Sequence, residues 1–214
     1  MSVPKAPSFR GFPREAFGFF EQLARNNNRA WFQARKDVYE ATCREPMKQL
    51  IDELGADPDN SKVSRINRDL RFSRDKAPYR TYVAAGFDGN YISLSAAGVF
   101  VGAGLYRPEG PALSRFRDAV DDDESGRALQ KIVSGLRRKR YDVSTHESLA
   151  NAPRGYPADH PRVELLRMKG LYAGKTFPPA AWLSTPRALP RIGQVVKDVR
   201  PLVQWLRAHV GSRA

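Results

Sequence analysis

The chain has 214 residues, 41% of them hydrophobic and 28% charged, which supports a folded core and excludes a disordered or fibrous protein. Its net charge of +13 directs attention to anionic partners: nucleic acid, an anionic membrane surface or a phosphorylated metabolite. Cys43 is the only cysteine, so an intrachain disulfide is excluded and a reducing cytoplasm is the expected setting. No apolar run approaches the roughly 20 residues that span a bilayer, and the first ten residues lack the apolar core of a signal peptide.

Residues 1–12 read as an N-terminal arm with Phe9 and Phe12 as anchors, ahead of one globular domain over 13–210. Pro13 suits the first turn of a helix, and Phe17, Phe20, Leu23 and Ala24 supply its apolar face. Asn28 is a good N-cap for a second helix, expected over 29–54. The stripe of that helix is Phe32, Tyr39, Cys43, Met47, Leu50 and Leu54, and Pro46 predicts a kink or a break at Glu45. A turn over Asp57–Asn60 leads into strands expected near 62–67, 80–87, 91–96 and 99–106, with Asp88-Gly89-Asn90 as a hairpin turn. In the last of these strands, Gly102 and Gly104 project to one face and leave room for a backbone or a ligand to approach.

Helices follow over 111–120, 124–140 and 163–168, with a return to the sheet expected over 170–177. A last helix, capped by Thr185, runs to about Val210 on a stripe from Ile192 to Leu206, and Pro190 and Pro201 are expected to segment it. Helices, then a strand cluster, then helices indicate an α+β class. The central sheet is expected to be antiparallel, with about four or five strands packed against N-terminal and C-terminal helices.

The densest chemistry lies between Lys62 and Tyr82. Seven cations (Lys62, Arg65, Arg68, Arg71, Arg74, Lys76, Arg80) stand among two acids, Asp69 and Asp75, for a net +5. Arginine forks steadied by aspartates suit a phosphate or carboxylate. The expected ligand-binding residues are Arg65, Arg68, Asp69, Arg71, Asp75, Lys76, Tyr79, Arg80 and Tyr106, facing the glycine-bearing strand. The expected ligand is a phosphorylated or carboxylated small molecule. Nucleic acid, read by the same block with Arg137–Arg140, is the alternative. A third reading makes the block an internal ion-pair lattice that ties a loop to the sheet in a structural or interaction protein.

Other motifs stop short of a chemistry. Gly102-x-Gly104 lacks the third glycine of a dinucleotide loop, where Arg107 stands, and no P-loop string exists. His146-Glu147 opens like a zinc protease motif, but Ala150 replaces the second ligand. His146, His160 and His209 are scattered, so neither metal nor cofactor is expected. Cys43 reads as a packed core thiol and His160 as a capping or surface histidine. Trp31, Phe32 and Tyr39 read as helix core before base-stacking platform. No catalytic set is assembled, so whether the protein is an enzyme stays open at this level.

Four strings carry a resemblance. They are Arg65-Ile-Asn-Arg-Asp-Leu-Arg-Phe-Ser-Arg-Asp-Lys-Ala-Pro-Tyr79, Asn27-Asn-Arg-Ala-Trp-Phe32, Gly102-Ala-Gly-Leu-Tyr-Arg-Pro108 and Pro153-Arg-Gly-Tyr-Pro-Ala-Asp-His-Pro161. The chain resembles a domain-of-unknown-function family of conserved hypothetical proteins, DUF2461, from about Phe12 to Val210. Ala103 stands where that family more often has glycine. The resemblance implies no reaction, cofactor or catalytic residue.

Overall fold

The computed structural model describes residues 8–71 and 75–211; residues 1–7 of the expected arm, and Arg74, lie outside the described residues. Strands β1 (Ser61–Val63), β2 (Tyr82–Phe87), β3 (Asn90–Ser95), β4 (Gly98–Leu105), β5 (Asp142–Ser144) and β6 (Leu171–Phe177) form one antiparallel sheet in the order β1-β2-β3-β4-β6-β5. With its helices this is the expected α+β class, with one strand more than the upper expectation. The chain divides into two compact units, Met1–Val101 with Thr176–Gln194 and Gly102–Lys175 with Val195–Ala214.

In the first unit, Phe9 and Phe12 are buried at 3% and 0% exposure, and the Phe12 N–H donates to the Leu183 carbonyl at 2.8 Å. Helix α1 (Arg14–Arg25) buries Ala16, Phe19, Phe20 and Leu23. Phe17 is only half-buried and Ala24 is exposed. The inward face is therefore turned from the expected one. Phe19 decides it by joining Trp31, Tyr39 and Phe32 in an aromatic cluster with ring centroids 5.5, 5.8 and 6.4 Å away.

The expected helix over 29–54 is divided into α2 (Arg29–Gln33), α3 (Lys36–Tyr39), a π-helical turn over Glu40–Arg44, and α4 (Glu45–Glu53). Asn28 caps α2 as expected, its Oδ1 accepting from the Trp31 N–H at 3.0 Å. Pro46 offers no N–H to the Thr42 carbonyl and its ring crowds that oxygen; the wider turn just before it absorbs the misfit. The stripe through Phe32, Tyr39, Cys43, Met47 and Leu50 is buried as expected, while Leu54 is only half-buried.

Strands β2 and β3 are joined by Asp88 and Gly89 at φ 48° and 81°, the pair of positive dihedrals that a two-residue hairpin of this hand demands. Val83, Ala85 and Phe87 of β2 and Ile92 and Leu94 of β3 point into the core. Gly86 and Tyr91 on the opposite face are exposed.

The second unit contains α5 (Gly110–Asp121), α6 (Asp123–Arg138), α7 (Val163–Arg167), β5, most of β6 and the larger part of α8 (Ala188–His209). Trp205 of α8 donates from Nε1 to the Ser125 carbonyl at 2.9 Å and meets Phe116 of α5 edge-on at 6.1 Å. Helix α8 is not segmented. Pro190 falls in its first turn, where a missing N–H leaves no bond unmade. Pro201 is accommodated inside it. Burial of Ile192, Val195, Val199, Leu202 and Leu206 outweighs the local penalty. Thr185 leads in one turn earlier, its carbonyl accepting from the Ala188 N–H at 3.0 Å.

Candidate anion-binding site on the arginine arm

The basic block does not continue β1 to residue 67, as expected, but leaves the strand after Val63 and runs beside the segment that enters β2. The Ser64 N–H donates to the Ala84 carbonyl at 2.7 Å, Arg80 to Ile66 at 2.8 Å and Arg68 to Pro78 at 2.9 Å. Asn67 and Tyr79 pair as an isolated antiparallel bridge. Residues 64–71 and 75–80 therefore make up the described part of an arm, pinned at its base where the two stretches pair.

The pin is Asn27. Its Nδ2 donates to the Tyr79 carbonyl at 2.8 Å, and its Oδ1 accepts from the Tyr79 N–H at 3.0 Å. The Tyr79 ring, 4% exposed, stacks on Phe32 with centroids 4.2 Å apart, and Ile66 is buried beside the same base. Tyr79 thus anchors the arm, and little of its ring faces outward. Sequence reasoning placed Asn27 only in a turn; the signal for its role was the string from Asn27 to Phe32, which belongs to the family resemblance.

Beyond the base, the two aspartates each take an arginine. Arg71 donates to Asp69 from Nε at 3.0 Å, from Nη2 at 2.6 Å and from its backbone N–H at 3.1 Å. These bonds hold the Asp69 carboxyl below the usual carboxylate range. Arg68 donates from Nη1 to Asp75 and, at 3.3 Å, to the Ala77 carbonyl. The Ala77 N–H at 2.9 Å, and then Arg68, hold Asp75 low. Arg71 is 78% exposed and Asp69 59%, so this pairing is a surface one and Arg71 is not the centre of a buried ion lattice.

Two open clefts flank the arm. One, of about 680 Å³, is lined by Ala24, Asn27, Arg68, Asp69, Asp75, Tyr79, Arg80 and Tyr82 among others, with its charges balanced. The other, of about 820 Å³, is lined by Lys62, Arg65, Arg68, Arg71 and Arg80 with the single carboxylate of Asp69, over Ala84, Gly86, Tyr82 and Tyr91. Among the described residues Lys62, Arg65 and Arg80 have no carboxylate within ion-pair distance. The Arg80 guanidinium lies 5.9 Å from the Tyr82 ring centroid. The second cleft thus concentrates positive charge that its own acids leave uncompensated.

Two expected members stand elsewhere. Lys76 is exposed and lines neither cleft. Tyr106 belongs to the second unit, where its ring meets His146 at 5.7 Å and Tyr172 at 5.8 Å. The glycine strand is filled by protein: a Cβ on Gly104 would lie 2.3 Å from the Leu171 carbonyl oxygen of β6, so that glycine admits a neighbouring backbone. In the other basic run, Lys139 pairs with Asp198 at 2.6 Å and Arg137 approaches Glu164 at 4.0 Å.

Cys43 and His160 are held in structural surroundings. Burial pushes the Cys43 thiol up to about 12, unsuited to a nucleophile at neutral pH. His160 accepts from the Arg162 N–H at Nδ1 (3.1 Å) and meets Asp121 through Nε2 at 3.2 Å. No group of three or more His, Cys, Asp and Glu side chains among the described residues is placed to hold a metal ion, and none of their helices is long and apolar enough to cross a membrane.

No curated protein and no solved structure matches the chain. The sequence profile described as "Conserved hypothetical protein (DUF2461)" matches residues 15–205, nearly the whole length, and the chain belongs to that family.

Proposed function

We propose that the protein binds an anionic small molecule, phosphorylated or carboxylated, in the cleft between the arginine arm and the outer face of β1–β3. One observation carries this reading: five cationic side chains line that cleft against a single carboxylate, which Arg71 already engages. An arginine steadied by an aspartate loses little freedom when it meets an oxyanion, which favours binding. The lone cysteine forms no disulfide, and on that ground we place the protein in the cytoplasm.

Thermal melts of the full chain with phosphate, pyrophosphate, citrate and sugar phosphates test the proposal. Saturable stabilisation is expected, corresponding to about 2.7 kcal/mol at a hundredfold excess over Kd, and it should fall away in Arg65→Ala and Lys62→Ala. A wild type indifferent to every anion at low salt would overturn it. Duplex DNA included in the series separates the nucleic-acid alternative, whose log affinity drops by roughly 0.9 per phosphate contact for each tenfold rise in salt.

A further inference from the structure

Gly86 lies inside β2, yet the backbone there does not require glycine. Its φ is not among the positive ones. Among the described residues, an added Cβ would meet only the Asn90 carbonyl oxygen, at 3.9 Å, an ordinary contact. Glycine inside a strand weakens it, and a β-branched residue would suit the site better. At Gly104 a packed backbone explains the glycine; at Gly86 the bare patch opens onto the basic cleft.

The register places this patch between two particular neighbours. Gly86 pairs with Lys62 of β1 on one side and with Tyr91 of β3 on the other. Strands lie about 4.8 Å apart, so the flanking Cα atoms are roughly 10 Å apart, and Gly86 puts no side chain of its own between them. Tyr91 is 41% exposed, and Phe100 lies 6.3 Å from its ring. An aromatic face, a bare floor and a lysine thus stand in one row, and Arg65 and Arg71 line the same cleft.

We infer that the anion bound here is a nucleoside phosphate, its base stacked on Tyr91 over the Gly86 backbone and its phosphates on Lys62, Arg65 and Arg71. The inference rests on the anion-binding reading above and names its ligand class. At the floor itself Gly86 and Ala84 carry no polar side chain, while Ser64, Asn67 and Tyr82 line the same cleft and can meet the hydroxyl groups of a nucleoside's sugar. A base needs only a flat surface and a π-face.

Isothermal titration of the full chain with ATP, inorganic tripolyphosphate and a hexathymidine strand tests it, in wild type, Gly86→Val and Tyr91→Ala. ATP should bind at least about tenfold more tightly than tripolyphosphate, the share a stacked base contributes. Gly86→Val fills the floor without straining the fold, so it should melt no lower than wild type and lose the preference for ATP while keeping tripolyphosphate. Tyr91→Ala should do the same to binding. Tripolyphosphate binding as well as ATP in wild type, or Gly86→Val leaving ATP untouched, overturns the nucleoside assignment and leaves the anion site standing. No binding of any of the three overturns both. Hexathymidine binding more than tenfold tighter than ATP, with a steep salt dependence, overturns the mononucleotide in favour of a single strand.

Discussion

The arm around Arg71 and the latch around Arg162 both set arginine against aspartate, in opposite surroundings. Arg71 is 78% exposed and returns to Asp69, two residues away. Arg162 is 3% exposed; it donates from Nε to the Val120 carbonyl at 2.6 Å and from Nη2 to the Asp121 carbonyl at 2.7 Å and to Asp123 at 3.0 Å, joining the end of α5 to the start of α6. Gly126 makes room for it, since a Cβ there would lie 2.5 Å from Arg162 Nε. A buried guanidinium must satisfy its donors within the protein, whereas an exposed one has water as an alternative and can exchange it for a ligand. Clustered charge in sequence marked the exposed arginines; the structural one stands singly just after Pro161, at the start of α7, where no charge cluster marks it.

The largest effect that tests this contrast is Arg162→Met, which strands the buried Val120 carbonyl and removes the donor of the part-buried Asp121 carbonyl. Urea denaturation should show a loss of about 2–4 kcal/mol, and a loss under about 1 kcal/mol would erase the contrast. Next is Asn27→Ala, which removes both bonds to the Tyr79 backbone. We expect about 1–3 kcal/mol, with faster hydrogen exchange at the Tyr79 amide. An unchanged exchange rate would mean that Ile66 and the Tyr79 ring pin the arm by themselves.

Acid should separate the two arginines in one spectrum. Asp69 is held low, so its pairing with Arg71 contributes above the unfolded carboxylate value of 3.8 and is lost as pH falls through the lower folded value. The Arg71 Nε–H resonance should weaken only below about pH 3.8, while that of Arg162 persists for as long as the fold does, because the Val120 carbonyl does not titrate. An Arg71 signal already absent at pH 6 would show that the Asp69 pairing does not order the arm. The smallest effect belongs to Arg71→Lys: the melting temperature of the free protein should hardly move, since an exposed pair adds little to stability, while stabilisation by pyrophosphate is lost. A large drop in melting temperature would restore the ion-lattice view of the arm.

Much of the architecture was legible wherever periodicity runs long. The stripe from Phe32 to Leu50, the Asp88-Gly89 turn and the strands near 80–106 were all evident. Strand β5 was not, because three residues beside a run of basic side chains leave no period to read, and only pairing with β6 defines it. Nor was the unbroken course of α8, where burial along one stripe overrides two prolines.

For the candidate site, sequence alone determined which residues carry the charge and that only two acids accompany seven cations. Tertiary structure decided the rest: that Asp69 takes Arg71 and Asp75 takes Arg68, that Tyr79 turns inward, and that Tyr106 belongs to another unit. It also aligned Lys62, Gly86 and Tyr91 in one row across three strands. The physical reason is range. Charge and periodicity are properties of neighbours in the chain, whereas pairing, burial and register depend on segments that meet only when the sheet forms.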